Sequence, residues 1–225
     1  MVKERIDDLV DILGEEYARL ENTFVVRNNE QLVKYLDDPD EWKRKQLVER
    51  VKYKRQLILE AKRQIADINA KTEKVFLLAY KEVDKDTIEI QTNQIVAHDL
   101  PDDAKKQIKE LKDFNAKEIV RLANQSFKTY TTQVRIINDI KQVEDFYDVV
   151  KNQMKKGIEN GMKVVYKDKK QFTFKSYMEM NIRTTLHQEM TQRQMSVGAR
   201  VGQIFYVCDS FGDCAPDHAD YQGKI

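Results

Sequence analysis

The fold class is decided by residues 38 to 83, which read DPDEWKRKQLVERVKYKRQLILEAKRQIADINAKTEKVFLLAYKEV. Asp38 can cap a helix, Pro39 suits the first helical position, and two acidic residues follow at the positive end of the helix dipole. No further Gly or Pro occurs before Pro101. Apolar residues recur at helical spacing along the stretch. It therefore predicts one helix over Asp40–Val83, about 65 Å long at 1.5 Å per residue.

The residues before this helix are also expected to be helical. Apolar residues at helical spacing predict a first helix over Lys3–Glu21. Thr23–Val26 is β-branched and aromatic, so we interpret it as a bend. Glu30–Tyr35 is then expected to form a further short helix.

Beyond residue 83 the pattern predicts two more helices. Residues 87–92 alternate and are compatible with either a strand or a continued helix, and residues 98–103 read as a break with a new helix start. We expect a helix over Asp103–Asp113 and a long one over Ala116–Met154, ended by Gly157 and Gly161. Long helices joined in this way are expected to fold back on each other as antiparallel neighbours.

The C-terminal residues change character. Val164–Tyr166 and Phe172–Phe174 read as a strand pair around a polar turn, and Ile204–Val207 as a further strand. Between them, Ser176 and Glu179 have the spacing of a capping box at the start of a helix. The fold class is therefore mainly α: long antiparallel helices form an elongated arm or bundle over residues 1–156, followed by a small α+β module over residues 157–225.

Composition narrows the function classes. The chain has 39 Lys and Arg against 38 Asp and Glu, a balance that does not indicate the one-signed footprint of a nucleic-acid-binding protein. No run of apolar residues is long enough for a transmembrane helix, so no membrane contact is expected. Two cysteines do not make a disulfide framework and favour synthesis in a reducing cytoplasm.

The apolar stripe of the 40–83 helix is narrow, so we interpret it as a partner-binding face. The residues expected to carry it are Trp42, Ile58, Ile65 and Ile68. The same helix is dense in basic residues. These predict a solvated face or, as the sharper alternative, a weak contact with DNA phosphates, and they are Arg50, Lys52, Lys54, Arg55, Lys62 and Arg63.

Arg183 can be interpreted in two ways. It can pair with an acidic residue and anchor its helix to the sheet, or it can hold a phosphate or carboxylate in its planar guanidinium. No Gly-rich phosphate-binding loop accompanies it. The structural interpretation is therefore favoured.

Two segments of the C-terminal module resemble a known family. The first is Tyr177-Met178-Glu179-Met180 followed by Arg183-Thr184-Thr185, and the second is Pro216-Asp217-His218-Ala219-Asp220-Tyr221-Gln222-Gly223-Lys224. They are similar to the minor capsid proteins of tailed phages, of the minor capsid protein 2 type, which are related to the Mu F-like head morphogenesis proteins. The motif positions are Tyr177, Glu179, Arg183, Thr184, Pro216, His218, Gln222 and Gly223.

The resemblance implies a structural protein of the phage head, located in the virion and made in the bacterial cytoplasm. It implies contact with the portal protein, the major capsid protein or both, several copies in an assembly, and a part in head assembly, DNA packaging or ejection. No enzymatic activity and no cofactor are expected. Members of the family continue beyond the Gln-Gly-Lys motif, so the chain is expected to be a truncated, processed or short form.

Three other interpretations compete with a structural role in the phage head. Cys208, Cys214 and His218, with His187, are candidate metal ligands, but their spacing lacks a tight Cys-x2-Cys pair and a clear fourth ligand, so no metal site is expected. The second is a fragment of an ADP-ribosyltransferase-like toxin, with Arg183 as the dinucleotide-binding residue and Glu189 on the same helix. The third is a cytoplasmic helical adaptor.

Overall fold

The computed structural model describes residues 2–89, 102–140, 145–160, 163–165 and 171–200. These residues form five helices and one pair of short strands, so the mainly α fold class is confirmed. In chain order the elements are α1 (Val2–Val33), α2 (Pro39–Glu89), α3 (Asp102–Asn138), α4 (Phe146–Asn160), β1 (Lys163–Val165), β2 (Gln171–Thr173) and α5 (Phe174–Arg200).

Helix α1 is longer than the sequence pattern predicts. The expected bend at Thr23–Val26 is absent, because Phe24 is fully buried and the Thr23 hydroxyl donates to the carbonyl of Arg19 at 2.8 Å. Burial of an aromatic side chain here outweighs the modest helix propensity of its β-branched neighbours. The helix ends at Val33, and Tyr35 then adopts a positive φ of 65°, a conformation that stops helical propagation.

The predicted start of α2 is confirmed. The Asp38 carboxylate accepts hydrogen bonds from the backbone N–H groups of Asp40 at 2.9 Å and Glu41 at 3.0 Å. Pro39 occupies the first helical position, where its missing N–H costs no helical hydrogen bond. The helix is continuous to Glu89, so Thr87–Glu89 continues it and is not a strand.

The predicted break between two helices near residue 115 is wrong. Asn115 is buried within α3, and its amide donates to the hydroxyl of Thr72 on α2 at 3.3 Å. The long helix expected over Ala116–Met154 is instead interrupted after Asn138, and α4 begins at Phe146, which packs edge-on against Trp42 with ring centroids 5.4 Å apart. Tertiary contacts have decided both positions.

Gly157 does not end a helix. It lies inside α4, and a Cβ placed on it would stand 3.0 Å from the amide nitrogen of Gln133 on α3. The glycine therefore lets the two helices approach closely. Gly161, also predicted as a helix end, lies outside the described residues.

The predicted strand pair is confirmed, displaced by one residue. Strands β1 and β2 are antiparallel, with Val164 opposite Phe172. The predicted capping box is wrong, because α5 begins at Phe174 and its cap is Thr173, whose hydroxyl accepts from the N–H of Ser176 at 3.1 Å. The strand predicted over Ile204–Val207 lies outside the described residues.

The helix directions follow from the contacts between them. Tyr53 of α2 meets Tyr130 of α3 with ring centroids 4.7 Å apart, while Thr72 meets Asn115, so α2 and α3 are antiparallel. Helix α1 is antiparallel to both α2 and α5. Tyr17 of α1 lies edge-on to Phe174 at 5.8 Å. The described part of the predicted 157–225 module thus shares one hydrophobic core with the helices before it.

Candidate functional site

Helix α5 carries the first of the two family-like segments, and it packs along α1. Arg183 places its Nε 3.6 Å from Asp7 and its Nη2 3.6 Å from Asp11, with 45% of its side chain exposed. The expected pairing of Arg183 with an acidic residue is therefore seen. Its partners are on α1, however, and not on the sheet. His187 extends the cluster, with its Nε2 4.0 Å from Asp7.

A second set of contacts lies nearer the start of α5. Lys175 donates to Glu15 at 2.5 Å and lies 3.7 Å from Glu179. The hydrogen bond and the positive charge of Lys175 hold the pKa of the Glu15 carboxyl below its ordinary value, and the same pair raises the pKa of Lys175. Glu179 lies against Gly14 of α1, where a Cβ would overlap its carboxylate.

Two further motif residues have different surroundings. Tyr177 is half-buried, with its ring 6.2 Å from that of Phe114 and 5.8 Å from the guanidinium of Arg121, both on α3. Thr184 is exposed, and its hydroxyl donates to the carbonyl of Met180 one turn earlier at 2.9 Å. In the motif helix, therefore, Tyr177, Glu179 and Arg183 contact the neighbouring helices of the same chain.

A buried polar cluster joins α5 to α2. The guanidinium of Arg193 donates to both oxygens of Asp84, at 2.6 and 2.7 Å, and both side chains are buried. Tyr80 donates to Glu189 at 2.9 Å, and its ring lies 5.7 Å from Arg193. Such a bidentate pair contributes orientation as well as energy, so it fixes how α5 lies along α2.

Sequence reasoning did not identify this cluster, although a signal was present. Tyr80 and Asp84 are four residues apart, as are Glu189 and Arg193. Each pair therefore lies on one face of its helix. Asp84 and Arg193 have opposite charges and Tyr80 can donate to Glu189, so the matching spacing is compatible with a contact between those helices.

The structure does not bring together the two residues of the toxin hypothesis. Arg183 contacts α1, whereas Glu189 is buried against Tyr80 of α2. Six residues separate them on the helix, which turns their side chains to different sides.

The expected partner-binding face of α2 is covered by the chain itself. Trp42 is fully buried, and its indole N–H donates to the carbonyl of Leu32 at 2.7 Å, while Ile68 is also buried. Ile58 and Ile65 are half-buried and pack against the same core. The expectation that this stripe is free for a partner is wrong, because it packs into the chain's own core, with Leu32 of α1 and Phe146 of α4 against Trp42.

Other predicted positions lie outside the described residues. These are Pro216, His218, Gln222 and Gly223 of the second segment, together with Cys208 and Cys214. Within the described ranges, no group of three or more His, Cys, Asp or Glu side chains is arranged to hold a metal ion. None of the described helices combines the length and hydropathy needed to cross a bilayer.

Comparisons with protein-family models, with curated proteins and with solved structures found no match.

Proposed function

We propose that this chain is a structural minor capsid protein of a tailed-phage head that contacts the portal protein, the major capsid protein or both. The observation that carries the proposal is the pair of family-like segments, the Arg183-Thr184-Thr185 helix and the Pro216–Lys224 stretch. The contacts of Arg183 and Glu179 support it, because both side chains contact α1 within the fold, as a structural role would require.

The shape of the helices also supports an assembly role. Helix α2 alone has 51 residues, which corresponds to about 76 Å at 1.5 Å per residue. A helix of this length offers a surface that can lie along neighbouring subunits. No chemistry is needed for such a role, and we propose that the protein acts without catalysis or a cofactor.

The surface that fits a head partner is a different part of α2 from the one the sequence suggested. Leu47, Val48 and Val51 are exposed by 52%, 70% and 57% and lie within one helical turn. Exposed apolar residues in such a group are typical of interaction sites. We propose that this apolar patch of α2 meets the portal or the major capsid protein.

One experiment tests where the protein lies in the virion, and a second tests whether the apolar patch of α2 is its contact surface. A reconstruction of purified virions without imposed symmetry should show ordered helical density of this chain at the portal vertex or on the inner shell. Absence of the chain from virions would overturn the proposal and would favour the toxin or adaptor alternatives.

For the patch, a variant carrying Leu47→Asp and Val51→Asp should lose incorporation into heads. The matched control carries Ile12→Asp and Ile158→Asp, because these are exposed apolar residues on α1 and α4. Its incorporation should be unchanged. Equal incorporation of both variants would show that the apolar patch of α2 is not the contact.

A further inference from the structure

A cleft of 570 Å³ lies between α3, α4 and β1. Four exposed cationic side chains line it: Arg121 and Lys128 from α3, Lys156 from α4 and Lys163 from β1. None of the described residues that line it is acidic. The chain as a whole is almost neutral, so this cleft concentrates positive charge that the composition does not reveal.

Three of these charges are available to a ligand. Arg121 already forms an ion pair with Glu118, whose carboxylate lies 2.6 Å from the Nη2 of Arg121. Within the described ranges, no carboxylate lies at ion-pair distance from Lys128, Lys156 or Lys163. The cleft between α1 and α2 differs in this respect, because it contains the Arg27–Glu30 pair at 3.0 Å and is largely neutralised.

The floor and edge of the cleft are built from hydrogen-bonded polar side chains. Gln125 donates to the carbonyl of Lys163 at 2.9 Å and so fixes β1 at the rim. Gln133 is buried, donates to the carbonyl of Gln153 at 2.7 Å, and has an amide oxygen that accepts no hydrogen bond from the described residues. Gly157 lets α4 approach this floor.

The remaining chemistry of the lining distinguishes the classes of anionic partner. None of the described lining residues has an apolar or aromatic side chain. The buried centre of a protein–protein interface is enriched in apolar and aromatic residues, amphipathic helices at a membrane surface insert apolar residues, and single-stranded nucleic acid stacks its bases on aromatic rings. Lys, Arg, Gln and Thr side chains are the groups that contact the phosphates of a duplex.

We propose that this basic cleft binds the phosphate backbone of duplex DNA without regard to sequence. Arg121 and Lys128 are seven residues apart on α3, about 10 Å along the helix axis. Lys156 and Lys163 provide charge from the opposite wall. The basic face of α2, which the sequence offered as an alternative DNA contact, contributes Arg63 to the largely neutralised cleft between α1 and α2. Binding by the cleft does not require a place in a phage head.

The test uses the purified full chain and a mixed-sequence duplex of 30 base pairs. Neutralisation of three phosphates predicts a slope of about −2.7 for log K against log salt, and so a roughly 40-fold loss of affinity between 50 and 200 mM salt. The variant with Lys128→Gln, Lys156→Gln and Lys163→Gln should lose at least about tenfold in affinity at 50 mM salt and most of the slope. Circular dichroism checks that it is folded.

The matched control removes the same number of charges from α2, with Lys52→Gln, Arg55→Gln and Lys62→Gln. It should bind the duplex as the unmodified chain does. A second arm adds inorganic phosphate at constant ionic strength, which should displace no more duplex than chloride does.

Three results would overturn the proposal. They are no binding of the unmodified chain at 50 mM salt, an equal loss in the α2 control, or complete displacement by inorganic phosphate, which would identify a small-anion site. Because the assay needs no virion, its result is independent of whether the chain is incorporated into heads.

Discussion

The carboxylate of Glu179 on α5 lies against Gly14 of α1, in the space that a side chain at Gly14 would fill. A motif residue is thereby tied to a glycine far away in the sequence. Because Gly14 lies within a helix and is buried, its use costs helix propensity. That cost is offset only while the close approach of α5 is maintained.

Replacing Gly14 with Ala is expected to have opposite effects in two backgrounds. With Glu179 present, the new methyl group forces the carboxylate away, so Gly14→Ala should be neutral or destabilising. In a Glu179→Ala background the obstacle is gone, and the same change should stabilise by up to about 1 kcal/mol. Denaturant unfolding of the four proteins measures the coupling between the sites. Equal effects in both backgrounds would contradict the close contact.

Arg193 and Arg183 lie on the same helix, but replacing each with Met should lower the free energy of unfolding by very different amounts. Arg193→Met removes the bidentate partner of buried Asp84 and should cost about 3 to 5 kcal/mol of unfolding free energy. Arg183→Met breaks ion pairs at a partly exposed site and should cost less than about 1 kcal/mol. Urea denaturation compares the two. Similar losses for both variants would mean that the buried pair does not fix α5.

The Lys175–Glu15 pair predicts a pH-dependent difference in stability. The pKa of Glu15 is lowered in the folded chain. Its contribution to folding stability is therefore present at pH values above its ordinary pKa of 4.5, and it is lost as the pH falls through the pKa of the folded state. The pKa of Lys175 is raised. Its contribution to folding stability is therefore present at pH values below its ordinary pKa of 10.5, and it is lost as the pH rises through the pKa of the folded state. Lys175→Met should therefore lower Tm at pH 7 and have a smaller effect near pH 3. A deficit unchanged at pH 3 would speak against the pair.

The start of α5 can be tested with two hydroxyl deletions. Thr173→Ala removes the acceptor for the N–H of Ser176 and should cost about 1 kcal/mol. Ser176→Ala should cost less, because that residue is already inside the helix. Thermal unfolding of both variants gives the comparison. A larger loss at Ser176 would restore the capping box that the sequence spacing suggested.

Local signals in the sequence predicted local structure at several places, although the capping box at Ser176 and Glu179 was wrong. The cap formed by Asp38 and the antiparallel strand pair depend on neighbouring residues, and both were predicted. The continuation of α1 through Phe24 and of α3 through Asn115 was not, because each is decided by burial against another helix. The same reason applies to the break before Phe146, which packs on Trp42.

The candidate site shows the same division. The pairing of Arg183 with an acidic residue was predicted from its chemistry, but the sequence did not indicate that its partners are on the first helix. The apolar stripe on α2 was recognised, yet its exposure was misjudged, since periodicity identifies a buried face without saying which element covers it. The basic cleft was missed because its charges come from three separate elements.

The packing of α5 against α1 has a consequence for synthesis of the protein. Glu15 and Lys175 are 160 residues apart along the chain. At bacterial and eukaryotic elongation rates of about 5 to 20 residues per second, roughly 8 to 32 s pass between their translation. During that interval the face of α1 that carries Tyr17 lacks Phe174, so the nascent chain is expected to present it to chaperones until α5 has left the ribosome.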